Sequence, residues 1–171
     1  MLSLVTSFAL VIGIGGSLLE LPLIADLHST KSKASQYLPI EAEWCLPIGE
    51  CILLEVADTQ REKKLGLMNR SNLPIGQGMW FQFANARIVN FWMHQTLIPL
   101  DMIFLNKGFV VYLQPKVEVC LKQPCPIYGP NYPVDGVIEI AAGEIDRLQI
   151  KIGDLVSIQQ KKVLTNDNHL Y

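Results

Sequence analysis

The sequence FWMHQTLIPLDMIFL, from Phe91 to Leu105, combines aromatic, methionine and aliphatic residues around a single acid, Asp101. Residues 88–93 and 100–105 are short runs that are apolar on both alternating faces, as in strands buried on both sides. Pro99 lies between them and has no backbone N–H to donate to a ladder. The segment therefore predicts two strands joined by a turn that ends at this proline.

Asp101 shares its predicted strand face with Ile103 and Leu105, and the opposite face is also apolar, so neither face of the strand is expected to be exposed to solvent. An unpaired buried carboxylate costs several kcal/mol, and Asp101 therefore needs a partner or a cleft. We expect Arg70 to be that partner in preference to His94, because a guanidinium stays charged and can bind a carboxylate in bidentate fashion. The pair would be either a structural ion pair or the polar centre of a ligand site.

Three further blocks accompany this segment in the chain: GLMNR at 66–70, GMWFQF at 78–83 and IGDLVSI at 152–158. The four blocks together resemble the uncharacterised domain-of-unknown-function family 192, over about residues 52–158. The resemblance implies a small β-sandwich of jelly-roll type and brings no established activity. Family members usually have Lys-Asn where this chain has His94-Gln95, and because of this departure no role that needs a permanent cation at that point is carried over from the resemblance.

The 171-residue length is enough for one domain and a leader, with an ordinary buried core. Fourteen basic and sixteen acidic residues give a net charge of −2, and the basic residues do not cluster. This balance disfavours nucleic-acid binding. The sequence has no phosphate-binding glycine loop, no Ser-His-Asp spacing and no pair of carboxylates at a catalytic spacing, so its motifs do not identify a reaction. It also predicts no cofactor.

Residues 1–25 are largely apolar and are interpreted as a signal peptide, cut before Asp26, or as an uncleaved membrane anchor. Either would export the domain, and the membrane would be reached only through this segment. We expect a linker at 26–43, one domain at 44–160 that begins near Ile40 or Trp44, and a flexible tail at 161–171.

The four cysteines form two local pairs in the sequence, Cys45 with Cys51 and Cys120 with Cys125. An even number of cysteines in an exported chain favours two disulfides, and local closure would contribute roughly 2–3 kcal/mol for each bridge. A cross-paired arrangement remains open. A zinc site with four thiolates is the other alternative, although it normally has tighter C-x-x-C spacings.

Short strands dominate the rest of the chain, with hairpins in tandem that indicate an all-β fold with one or two short helices. With the resemblance, the fold expected is a β-sandwich or a jelly-roll-like barrel of antiparallel strands. Thr59 and Glu62 have the spacing of a capping box and predict a helix to about Met68. Strands are predicted at 51–57, 79–83, 88–93, 100–105, 109–113, 137–141 and 155–159, with 79–83 and 88–93 as one hairpin and a second short helix at 143–148.

The first functional hypothesis is a non-catalytic module that binds an unknown small ligand or protein partner. Residues 114–135 carry five prolines and the second cysteine pair, which predicts a loop of the kind that often holds binding residues. The candidate binding residues are Arg70, Trp92, Met93, His94, Asp101 and Tyr128.

The second hypothesis is an enzyme or a copper-handling protein with a site around Arg70, Trp92, His94 and Asp101. Thioether sulfur and imidazole suit Cu(I), and Met68, Met79, Met93 and His94 could supply them. Methionine is more often a filler of cores, so no metal ligand is assigned from the sequence.

Overall fold

The computed structural model describes residues 34–161, and strands dominate this part of the chain. The prediction of an all-β fold with two short helices is confirmed. In chain order the elements are β1 (Ile40–Cys45), β2 (Cys51–Ala57), α1 (Gln60–Leu65), β3 (Gln77–Arg87), β4 (Phe91–Trp92), β5 (Leu100–Asn106), β6 (Phe109–Val117), β7 (Ile127–Tyr128), β8 (Val134–Ala141), α2 (Glu144–Arg147) and β9 (Ile158–Gln160).

Helix α1 begins as its sequence predicts. The Thr59 side chain accepts a hydrogen bond from the Glu62 backbone N–H, and the Glu62 carboxylate accepts one from the Thr59 N–H, so the capping box is complete. The helix ends earlier than predicted, at Leu65, because Gly66 takes a φ of 46°. A Cβ at Gly66 would also lie 3.2 Å from the ring of Phe81, so the glycine permits close packing as well.

Seven strands form one sheet in the order β6-β5-β8-β3-β2-β1-β9, and β4 and β7 form a second sheet of two strands. The expectation of purely antiparallel strands is wrong at β2 and β3, which run parallel with Glu55 opposite Met79. Helix α1 and the loop after it cross over between these strands, so β3 starts at the same end of the sheet as β2.

The predicted hairpin between 79–83 and 88–93 is also wrong. Strand β3 continues to Arg87, through the position of the expected turn, and its two edges are occupied by β2 and β8. Residues 78–81 of β3 are therefore paired on both edges and offer no free edge to the following segment. Only Phe91 and Trp92 form a strand there, and they pair with Tyr128 and Ile127 of β7.

Strand β5 is buried on both faces, as its sequence predicts. Leu100, Met102 and Phe104 belong to one hydrophobic cluster, while Ile103 and Leu105 belong to the other. These two clusters lie on opposite sides of the sheet, because successive side chains of a strand point to opposite faces. The 88–93 segment contributes Val89 to the same cluster as Phe104.

The large sheet curves around the cluster that contains Ile103, since this cluster joins Trp44 of β1 with Val110 of β6. These strands lie near opposite ends of the sheet. The segment 153–160 links the ends: Leu155 bridges Phe109 of β6, and β9 pairs with β1. Within residues 34–161 the sheet does not close into a barrel through continuous strand pairing.

Both local disulfides are present, Cys45–Cys51 between β1 and β2 and Cys120–Cys125 in the proline-rich loop. The described part of the chain contains no free cysteine. Disulfides of this kind suggest an environment outside the cytoplasm. Strand β1 begins at Ile40, one of the two residues near which the sequence predicts the start of the domain.

The interpretations of residues 1–25 as signal peptide or anchor fall outside the described residues, as do most of the linker and nearly all of the tail. Over residues 34–161, none of the helices has both the length and the apolar character needed to cross a membrane.

Candidate functional site

Arg70 pairs with Glu55, and the predicted pair with Asp101 is wrong. The Arg70 guanidinium donates from Nη1 and Nη2 to the two carboxylate oxygens of Glu55, each at 2.6 Å. Its Nε donates to the Gln36 carbonyl at 2.9 Å, and the Tyr37 ring centre lies 4.5 Å from the guanidinium carbon. Arg70 is 2% exposed. All of these contacts fix the side chain within the protein rather than present it to a ligand.

Asp101 is fully buried, and within residues 34–161 it forms no salt bridge with a cationic side chain. One carboxylate oxygen accepts from the Lys116 backbone N–H at 2.7 Å, and the other accepts from the N–H groups of Gly143 and Ile145 at 2.9 and 2.8 Å. Gly143 is the N-cap of α2 and brings no side chain of its own to cap it. Asp101 therefore caps the first turn of α2 from a distant strand, which is a structural role.

Glu139 is a buried acid that the sequence interpretation missed. It lies on β8 between Met79 of β3 and Met102 of β5, in register with both. Burial raises the pKa of Glu139 to about 8, although the positive charge of Arg70 acts in the opposite direction. The signal was present in the sequence, because Glu139 interrupts the apolar run of a buried strand between Ile138 and Ile140.

A cleft of about 930 Å³ opens between α1, the end of β3 and the segment that contains β4. Its volume lies within the range of small-molecule sites in proteins. The floor is aromatic and aliphatic, and Ile88 and Trp92 at its edge are 58% and 50% exposed. The apolar and aromatic residues that line it are Leu65, Met68, Phe81, Phe83, Ile88, Val89, Phe91 and Trp92.

Two of the predicted site residues, Trp92 and His94, meet at this cleft. Their ring centres are 5.1 Å apart, and Nδ1 of His94 lies 2.8 Å from the side-chain nitrogen of Gln123. Gln123 belongs to the loop closed by Cys120–Cys125. The proline-rich loop thus holds the imidazole at the edge of the cleft, which gives the second disulfide a part in shaping the site.

The cleft is lined by three permanent cations and by no carboxylate. Lys63 and Lys64 come from α1 and Arg87 from the end of β3. The Lys63 ammonium lies 5.7 Å and the Arg87 guanidinium carbon 4.5 Å from the centre of the Phe83 ring. Lys63 also donates to the Asp58 backbone carbonyl. No salt bridge within residues 34–161 involves any of these three cations.

The other predicted site residues lie elsewhere. Met93 is 1% exposed and packs in the cluster on the Phe104 side of the sheet. Tyr128 is half-buried against that cluster and pairs with Phe91 in the small sheet. Of the predicted site residues, Trp92 and His94 line the cleft, whereas Met93 and Tyr128 pack in or against the core. Arg70 is bound to Glu55 in a separate buried pair.

The four residues considered for copper do not share one environment. Met79 and Met93 are buried in the core, whereas Met68 and His94 line the open cleft. Over residues 34–161 there is also no cluster of three or more His, Cys, Asp or Glu side chains suited to a metal ion.

Two solved structures share the fold. One is a protein from Sinorhizobium meliloti 1021 described as a candidate transcription regulator, with a TM-score of 0.63 and 26% identity over 74% of this chain and 98% of that one. The other is a protein of unknown function from Novosphingobium aromaticivorans DSM 12444, with a TM-score of 0.62 and 27% identity over 74% of this chain and 94% of that one.

No curated protein matches the chain. A family model does match it, over residues 47–158, which include β2 and the whole of the cleft except Ala34 at its edge. The model is that of DUF192, described as "Uncharacterized ACR". The resemblance drawn from the four sequence blocks is therefore confirmed, and the chain belongs to domain-of-unknown-function family 192.

Proposed function

We propose that this protein is an exported, non-catalytic binding module whose small ligand occupies the cleft beside Trp92 and His94. The observation that carries the proposal is the cleft itself, an apolar and aromatic concavity of about 930 Å³. Large apolar side chains such as Ile88 and Trp92 stay half exposed at its edge. Exposed apolar surface that is gathered in a concave site is typical of ligand binding.

The chemistry of the lining favours binding over catalysis. Acid–base catalysis at neutral pH needs a side chain that can exchange a proton there, and His94 is the lining residue suited to it. The lining has no cysteine, serine or carboxylate that could act with His94 as a nucleophile or second acid–base group. An enzyme built around Arg70 and Asp101 is disfavoured as well, since both side chains are engaged in buried structural contacts.

Export is supported by the two disulfides, which form and persist in oxidising compartments. The test is alkylation of protein taken from the native host under non-reducing conditions, followed by mass spectrometry. We expect no alkylated cysteine before reduction and four after it. Four reactive thiols before reduction would argue for a reducing compartment and against export.

The cleft is tested with N-phenyl-1-naphthylamine, a neutral apolar fluorophore, titrated into the full chain. We expect saturable binding that Ile88→Ser weakens roughly three- to tenfold, because a half-exposed aliphatic side chain would be covered by the ligand. Ile75→Ser is the matched control, since Ile75 is 72% exposed and lies outside the cleft. Equal binding by all three proteins, or none by any, would contradict the proposal.

A further inference from the structure

We infer that the ligand of this cleft is an amphipathic organic anion, with its apolar body on the aromatic floor and a carboxylate between Lys63 and Arg87. The inference rests on the proposed function and adds the class of ligand to it. The cleft lining is positively charged although the whole chain is slightly negative. The chain has a net charge of −2, yet the cleft lining carries three permanent cations and no acid.

Lys63 and Arg87 approach the same aromatic ring, that of Phe83. Two cations beside one ring repel each other, and neither of them is in a salt bridge within residues 34–161. The quadrupole of the ring offsets part of this repulsion. An anion bound between the two cations would offset much more of it, at the point where the apolar floor reaches the polar edge.

The donor geometry also suits a carboxylate. The guanidinium of Arg87 presents paired N–H groups that match two carboxylate oxygens. The ammonium of Lys63 has three protons, and the Asp58 carbonyl accepts only one of them. Both side chains therefore keep free donors, while Lys64 adds a third charge at the exposed end of α1.

The same cleft offers an apolar surface for the body of the ligand. Trp92 and Ile88 have large exposed surfaces in the lining, and Phe81, Phe83 and Phe91 supply the aromatic floor. A neutral apolar ligand would use this floor and leave the cations unpaired. A cationic amphiphile would meet three like charges. Selectivity among head groups is therefore the property that separates this inference from general apolar binding.

The test is displacement of N-phenyl-1-naphthylamine from the full chain by three probes with the same alkyl length. These are decanoate, decanol and decyltrimethylammonium, with the two ions kept below their micelle-forming concentrations and decanol below its solubility limit. We expect decanoate to displace the fluorophore at roughly tenfold lower concentration than decanol, the effect of one or two partly exposed ion pairs. Decyltrimethylammonium should be the weakest, and added salt should reduce the preference for decanoate.

The variant Lys63→Gln/Arg87→Gln should lose the preference for decanoate and keep its affinity for decanol, which also shows that the cleft is intact. Lys151→Gln is the control, because Lys151 is an exposed cation outside the cleft.

Equal displacement by decanoate and decanol in the wild type would overturn the inference and leave the cleft as a neutral binding site. A preference that persists in the double variant would overturn the assignment to these cations. Failure of every probe to displace the bound fluorophore would overturn the inference as well, and absence of fluorophore binding would overturn the proposed function itself.

Discussion

The buried acid Glu139 should make the stability of the domain fall as the pH rises from about 4.5 to about 8. In the unfolded chain this carboxyl ionises near its ordinary value of 4.5, whereas in the folded protein burial holds its pKa at about 8. Between these values the folded state binds a proton that the unfolded state has lost. The free energy of unfolding must therefore decrease with rising pH across this window.

The size of the effect follows from the two pKa values. Each pH unit between them is worth about 1.4 kcal/mol, so the full window corresponds to about 5 kcal/mol. Glu139→Gln keeps the shape of the neutral acid and cannot ionise. We expect the variant to match the wild type near pH 4.5, to exceed it by about 3 kcal/mol at pH 7, and to exceed it by about 4 kcal/mol at pH 8, with the full difference reached only above that pH.

The assay is urea unfolding of the full chain at pH 5, 6, 7 and 8, followed by tryptophan fluorescence. Glu118→Gln is the control, because Glu118 is an exposed acid and its replacement should leave the pH profile of the wild type unchanged. The other ionisable groups contribute equally to all three proteins and cancel in the differences. Parallel profiles for the wild type and Glu139→Gln would refute the reasoning, since they would mean that Glu139 is ionised in the folded protein.

Three further predictions concern stability and can be measured by the same unfolding assay. Arg70→Leu should lower the free energy of unfolding by roughly 3–5 kcal/mol, because it leaves the Glu55 charge buried without its partner. In double-mutant cycles the losses from replacing Arg70 and Glu55 should be coupled, whereas those from Arg70→Leu and Asp101→Asn should add within about 0.5 kcal/mol. Coupling between Arg70 and Asp101 would contradict the observed pairing. Thr59→Ala should cost about 1 kcal/mol through loss of the capping box, and an unchanged midpoint would show that the cap contributes nothing. Gly78→Ala should lower the free energy of unfolding by roughly 1–3 kcal/mol, because its Cβ would lie 2.7 Å from a backbone oxygen of β8. An unchanged stability would mean that β3 and β8 can move apart at this point without cost.

The local features of the fold could be predicted from the sequence because their causes are local. The capping box of α1 depends on two residues three positions apart, and the burial of β5 on both faces follows from its alternating apolar residues. The cysteine pairs are each separated by only a few residues, so closure within each pair was the favoured arrangement. The turn at Lys107-Gly108 between β5 and β6 likewise follows from the glycine.

The errors arose where tertiary contacts decided the outcome. The sequence shows that Asp101 needs partners, but the partners are backbone N–H groups, and every residue except proline has one. Nothing in residue identity distinguishes Gly143 or Ile145 as those donors. The same limit applies to the 88–93 segment, whose apolar pattern suits a strand, although residues 78–81 of β3 are already paired on both edges.

The candidate site was predicted in part. Trp92 and His94 belong to the most distinctive segment of the sequence, and the structure places both at the cleft. Nothing in the sequence distinguishes Lys63 and Arg87, since a lysine on a short helix and an arginine at a strand end are ordinary surface residues. Only the fold brings both to the same ring, that of Phe83.

The pairing of β9 with β1 determines when the domain can finish folding during synthesis. Ala42 lies opposite Gln160 and Trp44 opposite Ile158, so the outer neighbour of β1 is β9, which leaves the ribosome after every other strand of residues 34–161. Until then β1 has an edge with unpaired backbone groups, which is a template for pairing with another chain. A nascent chain that stalls before Ile158, or a protein clipped there, keeps this edge open. Its expected fate is self-association through β1 rather than survival as a smaller folded domain.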